Sequence, residues 1–340
     1  MTAGDGGMTR TLPRRQERED AIRTRPCPNC YLCGRPGQLL YEHLTDRLFG
    51  APGTWNFRRC PGSDCGLLWL DPLPIEDDIG KAYTKYYTHA EDTTRRPIML
   101  GALRTALSAV MSLVDPVHRE RERLSLMYLG DSKPGKVLDV GCGDGRRLAR
   151  LRGLGWEVHG QDVDPEAVAS ARERFRVEAH AGRLEDIRFP EMSFDCIVLN
   201  HVIEHAHDPV ALLEECRRIL KRAGRLMVVT PNARSFAHRH FGPSWRGLEP
   251  PRHIHLFSPS TLPALAARAG LTIARSWTTA ANAGAFGQGS LSIRTAGHAA
   301  SNLGGRIFRR AYALGCLYRS LFELLRDRGS GEECVLQATR

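Results

Sequence analysis

Lysine is nearly missing from this 340-residue chain. Its five lysines are Lys81, Lys85, Lys133, Lys136 and Lys221, and arginine supplies the rest of the 48 basic residues. Net charge is +10, yet the arginines gather into no dense stripe, so no nucleic-acid partner is expected. The Arg, Ala and Gly bias reads instead as the imprint of a GC-rich genome. Long apolar runs are also missing. IMLGALRTALSAVMSLV at 98–114 carries Arg104 and falls short of the roughly 20 residues a span requires. No apolar segment marks the opening MTAGDGGMTRTLPRRQERED, from which a cytoplasmic, reducing setting is expected. Its first 25 residues are expected to form a disordered tail. Internal repeats are absent. What is present is ordinary for a globular chain: 42% hydrophobic and 25% charged residues, enough for one large domain and a small one.

The ten cysteines are unevenly used, with five between Cys27 and Cys65. In a reducing setting such clustering points to metal rather than disulfides. Cys30-Tyr-Leu-Cys33-Gly34 and Cys60-Pro-Gly-Ser-Asp-Cys65-Gly66 resemble the two knuckles of a zinc ribbon. Four thiolates from Cys30, Cys33, Cys60 and Cys65 would close a tetrahedral Zn2+ site and replace the core a fifty-residue module lacks. Cys27-Pro-Asn-Cys30 shares the C-x-x-C spacing and leaves the first knuckle open, although Gly34 favours Cys30 with Cys33.

Four regions follow from composition: the tail at 1–25, a zinc-ribbon-like module at 26–75, a helical linker or lid at 76–132, and an α/β domain at 133–340. Strands are expected at 136–141, 156–162, 176–181, 194–200 and 224–230, with helices at 144–154, 165–175 and 208–222. Such alternation predicts a doubly wound parallel sheet. Beyond it come a helix at 259–269, a strand at 271–278, a helical insertion at about 285–328 and a strand near 333–339. Within the insertion, apolar residues from Ile307 to Leu325 recur at three and four, the period of an amphipathic helix.

The stretch KVLDVGCGDG places Gly141, Gly143 and Gly145 between a buried strand and a helix N-terminus, where free amides meet a ligand. A dinucleotide fingerprint needs its third glycine one residue later. Asp139 and Asp144 flank the turn, and two carboxylates there suit a sulfonium and an ammonium better than a pyrophosphate. Asp162, about 20 residues on and followed by Val163, is placed to accept from ribose hydroxyls. Asp164 before Pro165 reads as a helix N-cap. Glu185 and Asp186 offer acceptors to an adenine amino group, and Asn200 ends a strand at the carboxyl edge of the sheet.

VLDVGCGDG, GQDVDPEAV and FDCIVLNHVIEHAHDPVALLEECRRILKRAGRLMVVTPN, in this order, resemble the successive motifs of class I S-adenosylmethionine (SAM)-dependent methyltransferases. The resemblance runs from about 134 to 278. It implies a Rossmann-like seven-stranded sheet with an antiparallel last strand and SAM as cofactor. By it, Asp139, Gly141 and Gly143 line the methionine end, Asp162 meets the ribose and Asp186 the adenine. Arg222-Ala223-Gly224 departs from the family's usual Gly-Gly pair. The preceding cysteine module and SWRGLEPPRHIHLFSPSTL at 244–262 resemble a bacterial subfamily acting on small molecules, some of them sugars.

An alcohol acceptor also needs a group to take its proton. His201, Glu204 and His205 fall at i, i+3 and i+4, one face of a helical turn, where they could also hold a divalent metal. His253 and His255 alternate around Ile254 and share one side of an extended segment. His201, His205, His253 and His255 are therefore the candidate catalytic groups. The expected activity is methyl transfer to a hydroxyl of a small metabolite. Alternatives are a carbon or nitrogen acceptor, a lipid-linked acceptor at a membrane surface, a homodimeric assembly around the amphipathic helix, and an NAD(P)-dependent oxidoreductase.

Overall fold

The structure, a computed structural model, describes residues 21–83, 116–295 and 303–340. The apolar run at 98–114 and most of the expected tail lie outside the described residues.

Five short strands come first: β1 (Thr24–Arg25), β2 (Gln38–Leu44), β3 (Trp55–Arg59), β4 (Leu68–Leu70) and β5 (Leu73–Pro74). The large sheet follows from β6 (Lys136–Val140), β7 (Glu157–Asp162), β8 (Glu178–Ala181), β9 (Phe194–Asn200) and β10 (Leu220–Pro231). After β11 (His255–Leu256), it is completed by β12 (Thr272–Thr279) and β13 (Glu333–Thr339). Its spatial order is β12-β13-β10-β9-β6-β7-β8. β13 runs antiparallel to both its neighbours, while the pairs from β10 across to β8 are parallel. This is the expected seven-stranded Rossmann-like sheet with its last strand reversed.

Alternation along the strands sends successive residues to opposite faces, and each face carries its own core. Leu138, Ile197, Leu199 and Leu336 join one cluster. Val137, Cys196, Val198 and Val335 join the other. Helices cover both faces: α1 (His118–Ser125), α2 (Arg146–Arg152), α3 (Pro165–Phe175), α4 (Leu184–Ile187) and α5 (Pro209–Ile219), then α6 (Phe236–Phe241) and α7 (Thr261–Arg268). The Asp164 carboxylate accepts from the Glu166 amide to cap α3, with Pro165 in its first turn, as the sequence predicts.

Three boundaries differ from the sequence reading. β10 begins at Leu220, four residues early, because Leu220 pairs with Phe194 before a register shift leads to Arg225 opposite Cys196. Thr24–Arg25, inside the expected disordered tail, pair with β5. Of the expected helical stretch 76–132, Glu76–Tyr83 form a 3-10 helix and α1 occupies the far end, while 84–115 lie outside the described residues. The insertion between β12 and β13 holds α8 (Ala283–Arg294) and α9 (Leu303–Arg326).

The cysteine module does not close on itself at residue 75. β11 adds to its sheet in the order β11-β4-β3-β2, with His255 opposite Trp69. Trp55, Phe57 and Leu70 share a core with Ala237, Phe241, Trp245 and Leu248. The segment carrying His253 is therefore fixed by the N-terminal module.

Candidate functional site

A cleft of about 1100 Å3 opens over the carboxyl ends of β6, β7 and β9, where such sheets bind ligands. Gly141 and Gly143 line it at φ +68° and +54°. A Cβ at Gly141 would lie 2.5 Å from Val202 Cγ2, so the turn is closed against that side chain. At Gly143 nothing lies within 4 Å of the same position, leaving backbone open to the cleft. Asp162 ends β7 with its carboxylate on the cleft; it accepts from the Gly143 amide at 2.8 Å and the Asp164 amide at 3.0 Å. Burial raises the Asp162 pKa against those bonds. Val163 beside it is 69% exposed, an apolar ledge in the cleft wall. Glu185 also lines the wall, tied through Arg183 to Glu76.

Other cofactor candidates sit elsewhere. Asp139 is fully buried beneath the turn, gripped by Arg147 at 2.9 and 3.1 Å; burial raises its pKa to about 6, with Arg147 opposing. Asp144 faces Arg146 at 2.8 Å. Asp186 is exposed and Asn200 half-buried, and neither lines the cleft. The charge argument drawn from the sequence treated Asp139 and Asp144 as free, whereas both carry an arginine partner. The acids that line the cleft are instead Glu76, Asp162, Asp164, Glu185, Asp208, Glu249 and Glu333.

The four candidate histidines have different fates. His201 follows β9 at φ +56°, one-third exposed, between two buried carboxylates: Nδ1 is 3.1 Å from Glu204 and Nε2 2.8 Å from Glu333. Although burial pulls the other way, these carboxylates raise its pKa to about 10, so it is an imidazolium at neutral pH and no proton acceptor. Glu204, wholly buried, is driven against the cost of burial to about 2 by His201, and also accepts from Thr230 Oγ1. His205 and His253 face the cleft with rings 4.7 Å apart. His253 Nδ1 lies 2.8 Å from the Gly247 carbonyl, and His205 Nδ1 lies 3.0 Å from both the Arg252 carbonyl and Tyr83 Oη. The Gly247 carbonyl, which can only accept, sets Nδ1–H on His253 and leaves its Nε2 as the acceptor. The Arg252 carbonyl favours the same tautomer for His205, where the Tyr83 hydroxyl can either accept or donate. Burial lowers the His253 pKa to about 4. His255 is buried away from the cleft, against the Tyr31 ring at 5.1 Å, with Nδ1 near the Ala206 carbonyl.

The His253 segment is held rigidly. Arg252 is fully buried, paired to Asp46 at 2.9 Å and Glu249 at 3.1 Å. The Ile254 amide donates to the Glu204 carbonyl at 2.8 Å, joining this segment to the β9 loop. Glu249, Asn282, Tyr83 and Glu333 line the cleft although sequence reasoning did not select them. The one signal was Glu332-Glu333, paired acids opening an otherwise apolar strand; the others come together only through tertiary packing.

At the N-terminus, the thiols of Cys30, Cys33, Cys60 and Cys65 converge within 4.8 Å, with Cys30–Cys65 at 3.6 Å and Cys33–Cys60 at 3.3 Å. A tetrahedral tetrathiolate zinc has S–S edges of about 3.8 Å, so the donor set fits that ion. Cys27 stands outside the cluster, its amide donating to Asp71.

Residues 114–276 match the family model described as a methyltransferase domain. A probable S-adenosylmethionine-dependent methyltransferase of Mycobacterium tuberculosis is 38% identical over 102 residues, 30% of this chain and 37% of that protein. A ubiquinone biosynthesis O-methyltransferase of Xanthomonas oryzae pv. oryzae is 32% identical over 142 residues, 39% of this chain and 59% of that protein. The chain thus spans less than two thirds of the length of these relatives. A solved SAM-dependent methyltransferase from Archaeoglobus fulgidus aligns with 65% of this chain and 92% of its own, at 17% identity and a TM-score of 0.45. Among the described residues, no helix is long and apolar enough to cross a membrane.

Proposed function

We propose that this chain, whose residues 114–276 form a class I SAM-dependent methyltransferase domain, methylates a hydroxyl of a small acceptor such as a sugar. The observation that carries this reading is one continuous cleft, running from the glycine turn at Gly141 to the imidazoles of His205 and His253. SAM fits its first end. The open space at Gly143 admits a ligand against backbone, Asp162 has lone pairs left for two hydroxyls, and Val163 offers an apolar surface to a base. When bound, SAM supplies an electrophilic methyl on a sulfonium.

The chain's own task is to place the acceptor oxygen in line and help it lose a proton. His205 and His253 present Nε2 lone pairs at the second end of the cleft, and His201, already protonated, holds Glu204 and Glu333 in place. A relative named for O-methylation supports oxygen as the accepting atom. Zinc at the four cysteines is proposed as structural, since four thiolates leave no coordination position open. A cytoplasmic setting accords with ten unpaired cysteines.

Isothermal titration with SAM and with NAD is the direct test. SAM is expected to bind one per chain and NAD not to bind; the reverse would sink the assignment. A screen of hydroxylated acceptors with SAM, read by mass gain of one methyl, then identifies the substrate.

A further inference from the structure

One ligand atom from each of Glu204, His205 and His253 lies within 4.8 Å of the others; the two imidazoles line the cleft, and Glu204 is wholly buried. The sequence spacing suggested a different trio, with His201 in place of His253. His201 is instead consumed between Glu204 and Glu333, and His253 arrives from 48 residues downstream.

Two features distinguish this trio from a chance cluster. Both imidazoles have Nδ1 set against a backbone carbonyl, Gly247 for His253 and Arg252 for His205, an arrangement that leaves Nε2 for a cation. The two segments that carry the ligands are bonded to each other through the Ile254 amide, and Arg252 anchors the second of them in the core.

We infer that Glu204, His205 and His253 bind a divalent first-row transition cation, and that an acceptor hydroxyl completes its coordination. Two imidazoles and one carboxylate suit Mn2+, Fe2+, Co2+ or Zn2+ better than Mg2+, which prefers an all-oxygen shell. Three protein ligands leave positions open, unlike the closed tetrathiolate site. The inference rests on the proposed methyl transfer to oxygen and specifies how the hydroxyl is activated: with the cation bound, the Nε2 lone pairs of His205 and His253 hold the metal and do not themselves take the proton. Bound to the cation, the hydroxyl ionises near neutral pH and its proton passes to cleft water. The oxygen lone pair then forms the O–CH3 bond as the C–S bond of SAM breaks, its electrons remaining on sulfur. Acceptors with a second oxygen beside the reacting hydroxyl, able to chelate, are the class this favours.

The test uses the full chain with its cysteine site intact. Mn2+ is titrated and followed by electron paramagnetic resonance, with Co2+ followed by its visible bands, and SAM binding is measured in parallel by calorimetry. Wild type is expected to bind one Mn2+ or Co2+ outside the thiolate site. His253→Gln and His205→Gln should each weaken that binding about tenfold or more while SAM still binds. Absence of binding by either ion, or binding that both variants leave unchanged, would overturn the cation site. Failure of wild type to bind SAM would instead remove the methyltransferase reading, so the two failures are told apart.

Discussion

Gly141 and Gly143 stand two residues apart in the same turn, yet they answer to different constraints. Alanine at 141 must share space with Val202 Cγ2, so Gly141→Ala is expected to cost stability, about 2 kcal/mol or more by thermal melting. Alanine at 143 meets no atom and pays only for its left-handed backbone, roughly 1 kcal/mol. Gly143→Ala should therefore weaken SAM binding about tenfold in calorimetry while barely lowering the melting temperature; equal affinity would show that no ligand lies against this backbone. Glu332 makes a second prediction at this scale. Burial raises its carboxyl pKa from 4.5 to about 7, although Ser320 Oγ and the Ala237 amide donate to it. Between pH 4.5 and 7 the folded chain keeps a proton that the unfolded chain has lost, so this group lowers stability as pH rises through that window. Glu332→Gln should raise stability at pH 8, by at most about 3 kcal/mol, and give no gain near pH 4. A gain independent of pH would rule out this account.

Among elements, the short pair β4–β11 matters most to the cleft. It bonds Leu68 and Trp69 of the cysteine module to Leu256 and His255, two residues beyond His253. Cys33→Ser is expected to drop zinc from about one per chain to near zero by mass spectrometry. Amide exchange should then quicken in β4 and in 255–256 together, since among the described residues β11 pairs with no strand but β4. Loss of protection confined to 30–70 would mean that the module and the cleft are independent. α9 shows where periodicity stops informing. The recurrence at three and four revealed a helix, but both its faces carry apolar residues. Leu317, Leu321 and Leu324 pack with Val117, whereas Tyr318, Phe322 and Leu325 are exposed. Hydrophobic spacing finds the element; which face turns inward depends on the neighbours.

For the molecule as a whole, a ligand that binds only the folded chain stabilises it by mass action. SAM at a hundredfold excess over its dissociation constant should contribute about 2.7 kcal/mol and raise the melting temperature by a few degrees. NAD at the same concentration should leave the melting temperature unmoved, and a matching shift with NAD would contradict the proposed ligand. The predicted fold was legible because its signals are local: alternation in KVLDV, the cap at Asp164-Pro165, and the glycines after a buried strand. The charge of the turn was less legible, since nothing in the spacing of Asp139 and Asp144 announces that Arg147 and Arg146 will neutralise them.

The sequence by itself determined the sheet, the glycine turn and the cysteine quartet, because each is written in residues a few positions apart whose chemistry works at short range. Only the tertiary structure decided the roles of the histidines. His201 became a clamped cation because Glu333 arrives from 132 residues away, and His205 met His253 because β11 is held by the N-terminal module. Proton affinity and cation binding depend on which charges and carbonyls stand within a few ångströms, and those distances are set by packing.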